Sequence, residues 1–520
     1  MVRLAGTRYI RYVVEEMNPL TACIVGAFFI TVPFIIYTSK PSRDLSLLNS
    51  YQLTDTKVDS VFSSGCVDTR GYLADPMYKK QNATFVMLTR NSELDDVLST
   101  MASVEEHFNQ WFQYPYVFLN DMEFTEQFKN AVKEHTRANV TFDIIESADW
   151  EFPSNVPREL LHENIELQGD RGILYGSMES YHKMCRFYSG KFYHNKYVKQ
   201  YEWYWRLEPS VQFFCDLSYD PFFEMKKHGK KYGFTIMIPE LYWTIPNLFR
   251  TTLSYLREYN LTVGSLWKVF TSDNSVVSID DKGDAYMDKL INYEHDTMAR
   301  VSEKIAIQYF LEEGFTQDND AGMQSLIDRA RSPVPIVTDK FDNMEYNMCH
   351  FWSNFEIARV DVFNNPVYQG YFDYLEDHNG FWSERWGDAP VHSLGLSLIL
   401  DVEDVHYFRD IGYKHSTLQH CPKNALNLYQ FPYLEAEKKW ARQGSRAYYD
   451  VPKPAGTGCR CSCPKEPRRE TEDDHPYCLN QWLYYTHLED PSEPRKPKFN
   501  LTELTGVIEK DFLRQHRPNY

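Results

Sequence analysis

Four common active-site motifs are absent from this sequence. It contains no Walker phosphate-binding loop, no G-x-G-x-x-G turn, no G-x-S-x-G nucleophile elbow and no H-E-x-x-H zinc motif. Their absence removes the usual signatures of P-loop nucleotide hydrolases, dinucleotide-dependent dehydrogenases, α/β-hydrolases and zinc proteases. No internal repeat is present either.

Positive charge is also scarce. The 520 residues include 55 Lys and Arg against 73 Asp and Glu, a formal net charge of -18. Nucleic acids are bound by net cationic surfaces, so this balance predicts no nucleic-acid partner. A phosphate can still be bound locally, through a metal or a few arginines.

Long apolar runs are limited to one, Leu20–Ser39, which has about the length that a bilayer core requires. A cleaved signal peptide is the alternative, but the run is long for one and has no clear small-x-small exit. We therefore predict a single transmembrane signal anchor at 20–39. Arginines before it favour a cytosolic tail at 1–19 and a lumenal body, joined through a polar stem at 40–80.

Sequons and cysteines agree with a lumenal body. Nine of the ten cysteines follow the anchor, an odd number, so at least one is free or pairs with another chain. The segment "CRCSC" lacks the usual C-x2-C spacing of zinc sites, and an oxidising lumen favours disulfides over the zinc alternative. Glycans could be accepted at four sequons, which begin at Asn82, Asn139, Asn260 and Asn500.

The folded body opens with a strand–helix–strand pattern. A strand at Ala83–Leu88 precedes apolar residues spaced by three and four, and the strands "YPYVFLND" and "NVTFDIIE" follow. This order predicts a largely parallel sheet whose ligands gather beyond the carboxyl ends of the strands. Arg90 and the pair Asn120–Asp121 would then flank a nucleotide crevice, although Arg90 also fits an ordinary strand-end arginine.

The rest of the chain divides by composition. A catalytic domain is predicted over 81–451, with a loosely patterned lobe inserted at 262–340. The tail at 452–520 is rich in proline, cysteine and charge, and we expect it to wrap the body as loops tied by disulfides.

Acids and histidines are embedded among aromatic residues. A carboxylate in such surroundings needs an arginine, a lysine or a metal to meet it. Taken singly, each of these groups fits a core residue with satisfied hydrogen bonds. Together, their oxygens and imidazoles suit Mn2+ better than Ca2+ or Mg2+. They are Glu208, Glu356, Asp388, His392 and His415.

Several long motifs, in order from about Ala83 to about Cys421, resemble the fungal Golgi α-1,2-mannosyltransferases, glycosyltransferase family 15. They are "SYHKMCRFYSGKFY", "YEWYWRLEPSVQFFCDLSYDPFFEM", "KYGFTIMIPELYWTIPNL", "YNMCHFWSNFEIA", "ERWGDAPVHS" and "HYFRDIGYKH". The anchor and stem also look like that family. This chain is a longer member, with extra sequence between "YDPFFEM" and "YNMCHFW".

The resemblance implies a GT-A-type α/β fold with a mixed, largely parallel sheet. It further implies a type II Golgi membrane enzyme that uses GDP-mannose and Mn2+. Such an enzyme transfers mannose with retention to mannose-terminated N- or O-linked glycans of glycoproteins, forming α-1,2 linkages. A homodimer stays an open alternative.

The resemblance also assigns residues to the donor side. Glu208 of "EPSV" corresponds to the acid at the metal-diphosphate site, and His415 corresponds to the manganese ligand. Lys414 replaces a histidine that often precedes that ligand, which leaves the ligand itself in place. Arg90 and Tyr175 correspond to nucleotide-side positions.

Three residues correspond to the reacting centre. Tyr181 matches a tyrosine close to the reacting sugar, Glu356 a carboxylate proposed as nucleophile, and Asp388 an acid of the pocket. Retention proceeds either by double displacement through a carboxylate or by front-face attack assisted by the departing phosphate. Glu356 could serve either route, as nucleophile or as a stabiliser of an oxocarbenium-like centre.

Two other functions stay open at this stage. A catalytically silent relative would act as a lectin-like or scaffolding subunit, but Glu208, Glu356 and His415 are all present. A glycoside hydrolase would use paired carboxylates in water, without a nucleotide donor.

Overall fold

The computed structural model describes residues 60–63, 65–154, 156–273, 284–286, 339–341, 344–422, 457–464, 477–486 and 498–500. The predicted anchor at 20–39, the first part of the stem and most of the 262–340 lobe lie outside these residues. No helix within the described ranges is both long enough and apolar enough to cross a membrane.

The described strands are short, and most follow the apolar runs of the sequence. In chain order they are β1 (Ala83–Leu88), β2 (Tyr116–Asn120), β3 (Val140–Ile144), β4 (Trp203–Leu207), β5 (Gln212–Phe213), β6 (Tyr232–Phe234), β7 (Met237–Pro239), β8 (Thr271–Asp273), β9 (Asp284–Tyr286), β10 (Asp339–Phe341), β11 (Met344–Tyr346), β12 (Cys349–Phe351), β13 (Glu356–Arg359), β14 (Val405–Tyr407), β15 (Tyr413–His415), β16 (Leu418–His420) and β17 (Lys498–Asn500).

Helices connect and cover these strands. In chain order they are α1 (Thr69–Ala74), α2 (Leu94–Val104), α3 (Gln110–Phe112), α4 (Glu126–His135), α5 (Ser147–Trp150), α6 (Arg158–Asp170), α7 (Glu179–Gly190), α8 (Pro221–Lys227), α9 (Leu248–Glu258), α10 (Trp267–Phe270), α11 (Val360–Phe363), α12 (Pro366–Asp377), α13 (Gly380–Ser383), α14 (Asp388–Ser397) and α15 (Tyr477–Thr486).

Seven strands form the main sheet, in the order β14-β6-β13-β4-β1-β2-β3. β1 pairs in parallel with both β2 and β4, and β2 with β3. β14 is also parallel to β6, whereas β13 runs antiparallel between β4 and β6. The predicted mixed, largely parallel sheet is therefore confirmed, with β13 as its antiparallel member.

Both faces of the sheet are covered, which explains the continuous apolar run of β4. Alternate residues of a strand point to opposite faces. Trp203, Trp205 and Leu207 pack into one core with residues of α2, α4 and α8. Tyr204 packs into the other core, with residues of α7, α12 and α14. Arg206 shares the face of Tyr204, so a charge is buried among aromatic rings.

Two smaller sheets contain the strands that follow β4 and β6 in the chain. β15 lies between β16 and β5, which places His415 at the end of a strand joined to the segment after β4. β7 pairs with β12, which brings the residues after Pro239 next to His350. The quoted motif segments "KYGFTIMIPELY" and "HYFRDIGYKH" each contain residues of two strands that enter different sheets.

Four disulfides tie the tail to the body. They are Cys66–Cys459, Cys215–Cys461, Cys421–Cys463 and Cys349–Cys478, and Cys185 is the one described cysteine that is free. The prediction of a disulfide-tied tail holds for the described part, and an unpaired ninth cysteine is present. The tail is not all loop, because α15 forms around Cys478.

Three of the four sequon asparagines lie on the surface of the described body. Asn82, Asn139 and Asn260 are exposed. Asn82 donates a hydrogen bond from its amide to the carbonyl of Gln200 at 2.8 Å. Their exposure agrees with glycan acceptance.

Non-reducing peptide mapping of the full chain by mass spectrometry should recover the four linkages and an unpaired Cys185. Replacing Cys215 and Cys461 together with alanine should lower the free energy of unfolding by about 2–4 kcal/mol, because a long loop is released in the unfolded chain. Cys185→Ser is the control and should leave all four linkages intact. Stoichiometric zinc on the "CRCSC" segment would contradict the pairing.

Candidate active site

Two adjoining cavities open where β1, β2 and β4 end. The smaller one, about 210 Å³, is lined by residues that follow these strands, and the larger one is about 530 Å³. Tyr181, Met184 and Glu208 line both. Parallel strands present their carboxyl ends at one edge of a sheet, which is why residues distant in sequence meet here.

The smaller cavity contains the crevice residues expected from the sequence. Arg90, Asn120 and Asp121 all line it, together with Glu208. The Arg90 guanidinium is exposed and pairs with Glu93, with Nη2 at 2.6 Å from Oε1. Hydrogen bonding to Glu93 raises the pKa of Arg90. The side chain thus stays cationic at the rim.

Arg206 is the centre of the polar network. Its Nε lies 2.8 Å and its Nη2 2.7 Å from Oε1 of Glu208. Its Nη1 donates to Oδ2 of Asp388 at 2.5 Å, and the guanidinium stacks 3.5 Å from the ring centroid of Tyr188. One buried cation therefore holds two acids that come from positions 208 and 388 of the chain.

The direct counter-charge of Glu208 is thus an arginine, where the family resemblance alone had suggested the metal-nucleotide complex. Arg206 stands two residues earlier, and side chains two apart on a strand share a face. The alternation of β4 was the signal for this contact. Nε and Nη2 of Arg206 both bond Oε1 of Glu208, so Oε2 is the oxygen left for another ligand.

The two acids respond differently to the same arginine. Burial raises the pKa of Glu208 more than Arg206 lowers it. Burial also acts to raise the pKa of Asp388, but Arg206, His392 and a hydrogen bond from Ser353 outweigh it, so this pKa lies below its usual value. Asp388 is the more firmly ionised of the pair.

His415 and Glu208 both line the larger cavity. Burial, with a smaller effect from Arg206, lowers the pKa of His415 to about 4, so the ring is neutral at physiological pH. The Asn354 amide donates to Nδ1 of His415 at 2.8 Å, which orients the ring. No cluster of three His, Cys, Asp or Glu is found among the described residues.

This donor set fits Mn2+. A neutral imidazole and a carboxylate oxygen are ligands that Mn2+ accepts. With only two protein ligands, the remaining coordination positions would be left to phosphate oxygens and water, as is usual for nucleotide-bound divalent metals.

Tyr181 separates the two cavities. Its ring stacks on that of Tyr175 at 4.8 Å between centroids, and its hydroxyl accepts a 3.4 Å hydrogen bond from Nη1 of Arg385. Burial raises the pKa of Tyr181 well above its ordinary value, so the hydroxyl keeps its proton. Tyr175, expected on the nucleotide side, lines the larger cavity and is absent from the lining of the smaller one.

Glu356 is enclosed. It is fully buried and lines neither cavity. Tyr204 donates to its Oε1 at 2.7 Å, and Tyr232 and His392 each donate to its Oε2 at 3.0 Å. Burial acts to lower the pKa of His392, yet Glu356 outweighs it and raises the pKa. The nucleophile role stays a prediction, and these contacts occupy both oxygens.

Three polar residues that line the larger cavity were not predicted from the sequence. They are Glu240, His350 and Arg385. Nη2 of Arg385 donates to Oε1 of Glu240 at 3.2 Å, and Nε2 of His350 lies 3.9 Å from Oε2 of Glu240. All three stand in the quoted motifs, and His350 and Arg385 share their motifs with Glu356 and Asp388, which was the available signal.

Comparisons with known proteins agree on one family. The model described as Glycolipid 2-alpha-mannosyltransferase matches residues 42–430. The probable mannosyltransferase KTR5 of Saccharomyces cerevisiae is 53% identical over 508 residues, 96% of each chain. The probable mannosyltransferase KTR7 of the same yeast is 50% identical, covering 84% of this chain and 83% of that protein.

Solved structures give the same result. Core-mannan synthase A from Aspergillus fumigatus, in its Mn/GDP form, superposes with a TM-score of 0.53 at 28% identity, over 79% of this chain and 87% of that one. The mannosyltransferase Ktr4p from S. cerevisiae in complex with GDP gives 0.51 at 32% identity, over 73% and 83%.

Arg206→Met should lower the free energy of unfolding by about 3–5 kcal/mol, because Glu208 and Asp388 would lose their shared buried counter-charge. Denaturant unfolding measures the change. Adding Glu208→Gln and Asp388→Asn removes the uncompensated charges and should restore part of the stability. A triple variant no more stable than Arg206→Met would contradict this account.

Proposed function

The chain belongs to the glycolipid 2-alpha-mannosyltransferase family and is a mannosyltransferase that uses GDP-mannose, and we propose that it extends mannose-terminated glycans by α-1,2 linkages with retention. The observation that carries the proposal is the pair of adjoining cavities that share Glu208 and Tyr181. The smaller suits the nucleotide, and the larger suits the transferred mannose and its acceptor.

Glu208 and His415 would hold Mn2+ at the junction. Bound there, the metal supplies positive charge where the leaving diphosphate becomes more negative. Arg206 fixes the orientation of Glu208 by gripping Oε1, and Asn354 fixes the ring of His415. Two ligands held this way need little rearrangement when the nucleotide arrives.

Tyr181 supplies a neutral hydroxyl at the boundary between donor and acceptor. Because its pKa is raised by burial, it acts as a hydrogen-bond donor and not as a base. Arg385 donates to its oxygen, which leaves the hydroxyl proton for an oxygen of the leaving group or of the acceptor. Asp388 remains anionic beside the reacting sugar.

Front-face attack is the route we favour for retention. Double displacement needs a carboxylate free to bond the anomeric carbon, and Glu356 is enclosed by three donors. In the front-face route the departing diphosphate takes the proton of the acceptor hydroxyl. Glu356 then acts through the residues that it holds in place.

We place the enzyme in the Golgi membrane as a single-pass type II protein. The apolar run at Leu20–Ser39 supports an anchor, although it lies outside the described residues. The disulfides support an oxidising compartment. The exposed sequon asparagines support a lumenal body. Acceptors would then be N- or O-linked glycans of glycoproteins.

Mannose transfer by the full chain in detergent tests this function. With GDP-mannose, methyl α-mannoside and Mn2+, we expect a disaccharide whose linkage by NMR is α-1,2, and EDTA should abolish its formation. Product that persists unchanged in EDTA would contradict the metal site. GDP binding by calorimetry without transfer to mannosides would point to a silent relative, and mannoside cleavage without donor would point to a hydrolase.

Glu356→Gln distinguishes the two retaining routes. We expect turnover of the variant to fall by up to about 100-fold through misplacement but to persist, and peptide mass spectrometry of the wild type should detect no mannosyl adduct on Glu356. Tyr204→Phe is the matched control, since it removes one donor of the same network and should lower turnover in the same direction. Complete loss of turnover, with an adduct trapped on wild-type Glu356, would establish double displacement.

A further inference from the structure

Exposed apolar side chains gather at the mouth of the larger cavity. Leu174, Tyr175 and Leu241 line it although each is about half exposed. Trp243, two residues after Leu241, is also 52% exposed. Its ring meets Tyr242 edge-on, at 5.4 Å between centroids. Trp243 is not itself part of the cavity lining, but a tryptophan this exposed, two residues after a lining residue, has a large face available for a ligand that extends out of the cavity.

The turn that carries Trp243 is held firmly. It is a short 3-10 helix, Tyr242–Thr244, in which the backbone N–H and the hydroxyl of Thr244 donate to the carbonyl of Leu241 at 2.9 and 2.6 Å. The carbonyl of Thr244 accepts from the backbone N–H of Arg385 at 3.0 Å. The exposure of Trp243 therefore belongs to a fixed conformation.

Two charged side chains, those of Glu240 and Arg385, lie next to this turn. Oε1 of Glu240 accepts from the backbone N–H of Leu241 at 2.8 Å and from Nη2 of Arg385. Arg385 is only 4% exposed, and its Nε has no hydrogen-bond partner among the described residues. A buried donor without a partner is costly, and a ligand hydroxyl in the cavity would relieve that cost.

Apolar faces beside a carboxylate and a guanidinium match the chemistry of a pyranose. Such a ring has a C–H face that packs on an indole and hydroxyls that bond charged groups. Leu241, Glu240 and Arg385 line the larger cavity and are absent from the lining of the smaller one, which holds the strand-end residues. These residues therefore belong to the cavity that we assign to the transferred mannose and its acceptor, and not to the nucleotide cavity.

We propose that Leu241 and Trp243, with Glu240 and Arg385 behind them, form a subsite for the acceptor sugar residue next to the mannose that is extended. The proposal rests on the proposed mannosyl transfer and adds the element that selects longer acceptors. Trp243 provides the stacking face, and Arg385 Nε donates to a hydroxyl of the same acceptor.

Steady-state transfer by the full chain, with two acceptors, tests the subsite. One acceptor is methyl α-mannoside, and the other is the methyl glycoside of an α-linked mannobiose. Trp243→Ala should raise KM for the disaccharide about tenfold, the size of one aromatic contact, and should leave KM for the monosaccharide and for GDP-mannose unchanged. Trp243→Phe should recover part of the loss. Tyr259→Ala, which truncates a similarly exposed aromatic that packs on Tyr255 and Tyr374 and has no lining residue near it in the sequence, is the matched control and should change no KM.

Equal changes for both acceptors, or no change for either, would overturn the subsite while leaving the transferase function standing. Absence of transfer by the wild type would instead count against the proposed function. Saturation-transfer NMR of the disaccharide, with GDP and Mn2+ present, then tests the subsite by itself. A signal that weakens in Trp243→Ala supports the subsite, and one that does not weaken overturns it.

Discussion

The active site depends on how one buried cation is neutralised. Arg206 is buried against the ring of Tyr188, where an unpaired charge would be untenable, and Glu208 and Asp388 pair with it directly. Glu208 directly follows the strand that carries Arg206, and Asp388 comes from the first turn of α14. The arginine therefore joins the sheet to a helix and fixes both acids relative to each other. Displacing either acid would leave the charge of Arg206 partly uncompensated.

The local features of this arrangement could be predicted from the sequence. The runs at Ala83–Leu88 and around Tyr116–Asn120 predicted strands and a parallel sheet, because buried strands require apolar residues on both faces. The crevice around Arg90 followed from that topology. The contact from Arg206 to Glu208 is equally local, because Glu208 directly follows β4 and stands two residues after Arg206, so that the alternation of the strand puts both side chains on one face.

Other features depend on packing between distant segments. Asp388 reaches Arg206 across 182 positions, and no local pattern encodes that distance. The sequence motif alone does not show that Glu356 is enclosed. Its surroundings depend on the position of β13 between β4 and β6, where three donors surround its carboxylate. The pairing of the cysteines is likewise fixed only by which loops the fold brings together, and Tyr175 lines the larger cavity for the same reason.

The disulfides of the C-terminal segment impose an order on biosynthesis. Cys66, Cys215 and Cys421 are translated before their partners, which stand close together at Cys459, Cys461 and Cys463. These three linkages thus cannot close until the segment Cys459–Cys463 has been made. A truncated product that ends before Cys459 would retain all the acids of the site yet carry unpaired thiols at Cys66, Cys215 and Cys421.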